Sequence, residues 1–133
     1  MDVDGLKTWM SSHDMPQTLD RLSNKIAEQG MTVFARIDHA AAAAEAGLTL
    51  APMQVLIFGN AHAGTPLMQT APTIGIDLPL RMLVWNDEEG TTWLAYNDPG
   101  WIAARHGART DNQRGLAAMR KTLAAIAEKV TGM

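Results

Sequence analysis

The chain has 133 residues, 47% of them hydrophobic and 19% charged, which fits one folded domain and excludes a disordered chain. Its formal charge of -3 lacks the basic excess that nucleic-acid or anionic-membrane binding requires, so neither partner is expected. The absence of cysteine removes disulfides, thiolate metal sites and cysteine nucleophiles together.

Residues Gly5 to Ser11 read as a first strand, with Leu6, Thr8 and Met10 alternating with Lys7 and Trp9. The acidic segment before it has no signal-peptide core, and no apolar run approaches the ~20 residues of a membrane span. A cytoplasmic protein is expected. Asp14 is a good N-cap, Pro16 fits the first turn, and Gln17 stands where a capping box wants it. Met15, Leu19, Leu22 and Ile26 then share one helical face, and Gly30 ends the helix. Met31 to Asp38 reads as a second strand, with Val33, Ala35 and Ile37 on one face and Thr32, Phe34, Arg36 and Asp38 on the other. The alanine run after His39 favours one or two helical turns, stopped by Gly47.

Met53 to Gly59 is the third strand. Its run Val55-Leu56-Ile57-Phe58 predicts burial on both faces or a central position. A small-residue loop follows, and Gly64 or Thr65 is expected to cap a short helix with Pro66 in its first turn. Leu80 to Asn86 and Thr91 to Asn97 form a hairpin, with Trp85 and Trp93 as candidate cross-strand neighbours. Trp101 to His106 is a helical turn. The last helix opens at Thr110-Asp111-Asn112-Gln113 and carries Leu116, Met119, Leu123, Ile126 and Val130 on one stripe.

The order is strand, helix, four strands, helix, with two short helical insertions. Two amphipathic helices can both bury their stripes on one sheet face. The fold class is therefore α+β, a two-layer sandwich with a mostly antiparallel sheet in a single domain. Trp85, Trp93 or Phe34 would leave the other sheet face partly apolar, which predicts a dimer or a ligand groove.

Several residue sets bear on chemistry. Asp38 could orient the imidazole of His39 as an acid, base or ligand, although neighbours in a strand point to opposite faces and the pair could instead bond backbone groups at the strand end. Asn60, after Gly59, could offer its amide to a ligand or make an Asx-turn. Gly59 to Thr65 has a Gly-x4-Gly skeleton, but Thr65 stands where a nucleotide loop needs lysine; a bare anion nest at the following helix is the remaining phosphate-type reading. Asp77, before Leu78-Pro79, is a turn residue or a site carboxylate. His13, His39, His62 and His106 have no metal-ligand spacing, so neither a metal nor a cofactor is expected. The nine methionines mostly fall at core positions.

Ile37-Asp38-His39-Ala40 with Ala44 and Gly47, then Pro52, Phe58-Gly59-Asn60, Gly64-Thr65-Pro66-Leu67-Met68 and Asp77-Leu78-Pro79-Leu80, occur in an order that resembles the domain-of-unknown-function 302 family. The resemblance runs from about Gly5 to the last helix. It implies a curved antiparallel sheet of strand-helix-four strands-helix order, similar to one half of the TATA-box-binding protein, and a small homodimer. It implies no established activity. The family usually has proline after Phe-Gly-Asn; here Ala61 and His62 stand there.

Three functional readings follow. The first is a homodimeric module that holds a small molecule or anion near Gly59, Asn60, Thr65 and His39. The second is an enzyme using His39 with Asp38 or Asp77 as acid and base. The third is a structural partner of another protein.

Overall fold

The computed structural model describes residues 2–108 and 113–132, with the side chains of Gln113 and Arg114 left aside. Five strands form one antiparallel sheet: β1 (Leu6–Met10), β2 (Thr32–Asp38), β3 (Met53–Gly59), β4 (Leu80–Asn86) and β5 (Thr92–Asn97). Their spatial order is β1-β5-β4-β3-β2, so β3 is an interior strand, as its apolar run predicts. The long helices α1 (Met15–Glu28) and α5 (Gln113–Thr131) carry the apolar stripes. Leu22 and Ile26 of α1 and Leu123 and Ile126 of α5 are buried with Leu56, Phe58, Met82, Val84 and Leu94 of the sheet. The α+β two-layer reading of the sequence is borne out.

Side chains at both helix ends explain where α1 starts and how the helices dock. The Asp14 carboxylate accepts from the Gln17 amide at 2.9 Å. Gly30 follows the helix with φ +74°, a left-handed residue at the expected stop. Arg21 of α1 donates to the terminal carbonyls of Lys129 and Val130 in α5, at 2.6 and 3.0 Å. Within the core the hydroxyls of Ser11 and Thr18 are 2.8 Å apart, which satisfies two buried polar groups. The capping residues expected for α5 at 110–112 lie outside the described residues.

The remaining elements are short: α2 (His39–Glu45), α3 (Ala61–Thr70), a 3-10 turn at Pro72–Ile76, and α4 (Pro99–Arg105). There are thus more helical insertions than the two expected. Gly5 has φ +75° and a Cβ placed on it would overlap the ring of Trp101, so a glycine is needed where β1 passes α4.

Two local expectations are corrected. Strand β2 does not alternate throughout. Val33 pairs with Phe58 and Ala35 with Ile57, so Phe34 is an extra residue in a β-bulge. Ala35 and Ile37 keep to one face, but Val33 falls in register with core-facing Phe58. Helix α3 begins at Ala61 rather than near Thr65, and Pro66 lies inside it. The Asn60 side chain accepts from the His62 amide at 2.7 Å and starts the helix four residues early.

The face of the sheet away from the helices is lined by alternate residues of each strand. Val55, Leu83 and Ala95 are cross-strand partners there, and Met53, Trp85 and Trp93 form the next row. The two tryptophan rings stack with centroids 6.4 Å apart, as the hairpin register predicted.

Candidate functional site

The C-terminal end of β3 is where a groove opens. Its floor is Gly59 and Leu80, and one wall is the start of α3 from Asn60 to Thr65 with Met68. The opposite wall is α5, through Ala118, Met119, Thr122 and Leu123, and Gln29, Met31 and Phe34 close the end beside α1. The cavity measures about 600 Å³, within the range of small-molecule sites. Its lining is mainly apolar, with polar side chains at Gln29, Asn60, His62, Thr65 and Thr122.

The local sequence accounts for this shape. Phe58 is buried against the helices, and Gly59 then ends the strand without a side chain. A Cβ at Gly59 would lie 3.6 Å from Pro79 and 3.9 Å from the Phe34 ring, so the space beside it is bounded on both sides. Ala61, Ala63 and Gly64 keep the first turn of α3 thin on the groove side.

The residues proposed from sequence divide into two sets. Gly59, Asn60 and Thr65 line this groove together. His39 does not line it; it is exposed in the first turn of α2. Asp38 is the N-cap of α2, accepting from the Ala41 amide at 2.8 Å, and it also accepts from Gln54 Nε2 at 3.2 Å. That is the backbone-bonding role weighed above for the strand end. Asn60 likewise spends its side-chain oxygen on a helix cap. Its main-chain carbonyl accepts from the amides of Ala63 and Gly64, so the amides of residues 62 to 64 at the α3 start already have partners within the chain.

Asp77 stands in a separate cluster. One carboxylate oxygen meets Nε2 of His106 at 2.5 Å and Nη1 of Arg105 at 2.6 Å. The His106 bond, and then the Arg105 guanidinium, hold its carboxyl below the usual range against the opposing effect of burial. An ionised carboxylate only accepts, so Nε2 carries the proton; Nδ1 lies 2.9 Å from Thr73 Oγ1. The cluster therefore straps the 3-10 turn to the end of α4. His39 makes no hydrogen bond or ion pair with Asp38 or Asp77 among the described residues. Nor do three or more His, Asp or Glu side chains converge there to hold a metal.

Sequence reasoning named His62 and Phe34 but assigned neither to this groove, and it did not see the α5 wall. His62 directly follows the motif and was visible as the substitution-bearing part of the loop. Phe34 was hidden by the bulge, and Ala118 and Thr122 are ordinary helix residues whose role comes from packing alone.

Comparison with known proteins places these observations. A relative named "Fluoride-specific ion channel FluC 1" from Brucella suis biovar 1 (strain 1330) is 47% identical over 115 residues, 86% of this chain and 45% of that protein. A protein of the same name from Brucella abortus biovar 1 (strain 9-941) is equally similar over 43% of its length. The chain thus spans less than half the length of these curated relatives. Among the described residues no helix is long and apolar enough to cross a membrane. The crystal structure of an uncharacterized conserved protein from Bacillus stearothermophilus superposes with a TM-score of 0.85 at 22% identity, covering 96% of this chain and 99% of that one, and shares the fold. The family model described as "Domain of unknown function DUF302" matches residues 7–130, and the chain belongs to that family.

Proposed function

We propose that the protein is a cytoplasmic, single-domain homodimer that binds a small molecule in the groove between α3 and α5. The observation that carries this reading is the groove itself: a cavity of about 600 Å³ at the end of an interior strand, bounded by the glycine-rich motif segment. Few polar groups in a mainly apolar lining are the usual composition of a small-molecule site. The homodimer rests on the apolar outer face of the sheet, where Ile37 and Met10 are exposed beside half-buried Val55, Leu83, Trp85 and Trp93.

An acid–base enzyme built on His39 has less support, because Asp38 is committed to a helix cap and Asp77 to His106 and Arg105. Fluoride conduction is not carried over from the relatives. The matched segment is under half of those proteins, and none of its described helices is long and apolar enough to cross a membrane.

Native mass spectrometry of freshly purified protein, beside its denatured mass, tests the proposal. The expected result is a species at twice the chain mass with an excess that is lost on denaturation. A monomer would remove the dimer. A bare dimer that also gains no mass from a library of small apolar compounds would remove the binding function.

A further inference from the structure

Phe34 is one of two phenylalanines in the chain, and the two have opposite surroundings. Phe58 is fully buried, whereas Phe34 is 57% exposed. Its exposure is not the result of a loose loop. It sits within β2, between Val33 and Ala35, which pair with consecutive residues of β3. The bulge gives Phe34 no cross-strand partner and turns its side chain from the alternating pattern. Bulges of this kind are enriched beside sites, where they re-aim one side chain. Here the ring reaches the groove and passes 3.9 Å from the Cβ position of Gly59.

The rest of the lining suits the same type of ligand. Met31, Met68 and Met119 all face the groove. Thioethers are polarizable, adapt to irregular outlines and make favourable contacts with aromatic ring edges. Leu78 and Leu80 add rigid apolar surface, and Thr65 and Thr122 offer hydroxyls toward a polar substituent. An exposed phenyl ring at one end and three thioethers elsewhere in the lining make a seat for a flat ring better than for a flexible chain.

We propose that the groove takes a planar aromatic molecule and that Phe34 is the residue that selects it by stacking. This rests on the binding function proposed above and names the ligand class for the same site. The bulge gives the sheet edge a purpose: it costs one regular pairing and presents an aromatic face where β3 ends.

Isothermal titration calorimetry with two neutral probes, planar 2-naphthol and flexible 1-octanol, tests it. The wild-type protein is compared with Phe34→Leu, Phe34→Ala and Ala118→Trp. Ala118 is exposed on α5, so tryptophan there fills the groove from the wall; Thr65→Trp does the same from α3 if the first variant fails to fold. The expected result is 2-naphthol binding that either tryptophan abolishes. Phe34→Ala weakens it about tenfold and Phe34→Leu about threefold, as loss of an aromatic pair implies. Phe34→Leu leaves 1-octanol within about twofold, because apolar area is kept. Equal losses of both probes in Phe34→Leu, or no loss of 2-naphthol, overturn the selection by Phe34. Wild-type protein that binds 1-octanol in the groove but not 2-naphthol overturns the aromatic class and leaves the binding function standing. Binding of neither probe, or binding that the tryptophans do not disturb, removes the groove as the site altogether.

Discussion

Asn60 shows how one residue can shape a site without contributing its reactive atoms to it. Its side-chain oxygen and its carbonyl together hold the first turn of α3, which is one wall of the groove. Asn60→Ala is therefore expected to cost about 1 kcal/mol of stability, the usual effect of removing an N-cap. Urea denaturation should show the loss, and Asn60→Asp should restore most of it because a carboxylate caps equally well. An unchanged midpoint in the alanine variant would mean that α3 is held by packing alone. The same reasoning separates Asp38 from His39. Adjacent in sequence, they are a cap and an exposed helix residue, since the strand ends between them.

The 3-10 turn and α4 are tied together by side chains rather than by the sheet. Asp77 links the 3-10 turn to α4 through His106 and Arg105, and this strap carries a pH signature. The folded state lowers the Asp77 carboxyl below its ordinary value, chiefly through the His106 hydrogen bond. A carboxyl lowered on folding contributes stability above its unfolded value, near 4, and loses it as pH falls through the lower folded value. Asp77→Asn is thus expected to be less stable than the wild type at pH 7, with the gap closing as pH falls below about 4, through the lowered folded-state value. Thermal melts across that range check it; parallel curves for the two proteins would show that the strap contributes nothing. Helix α3 and the 3-10 turn pack as a second small cluster through Leu67, Ile74 and Ile102, so the strap acts on the groove wall as well as on α4.

At the scale of the whole molecule, the two sheet faces have different fates. One is sealed by α1 and α5, while the other presents Leu83 between Val55 and Ala95, with Trp85 and Trp93 in the next row. Leu83 alternates with buried Met82 and Val84, so a charge there leaves the helix-side core alone. Under the dimer proposed above, Leu83→Glu is expected to give a monomer in light scattering after size exclusion, with the melting cooperativity retained. A dimer that survives the substitution would place the interface elsewhere. The groove's α5 wall belongs to the opposite layer, so dimerisation through this face would leave the groove accessible.

The helix stripes, the succession of strands and helices along the chain, the tryptophan pair and the caps at Asp14 and Gly30 were legible in the chain, because each depends on residues close to one another in sequence. Apolar periodicity decided what had to be buried, and that was enough to determine an α+β sandwich. The motif from Phe58 to Met68 also marked one wall of the groove. The rest was decided only in three dimensions. The bulge at Phe34 arises from the pairing of β2 with β3, which alternation within β2 does not reveal. The start of α3 turned on whether the Asn60 side chain bonded its own backbone or a ligand. Asp77 found His106 rather than His39 because the 3-10 turn packs beside α4. The groove needs residues as distant as Met31, Asn60 and Met119 to meet, and that meeting follows from the docking of α5 over the sheet, a long-range packing event with no local sequence signature.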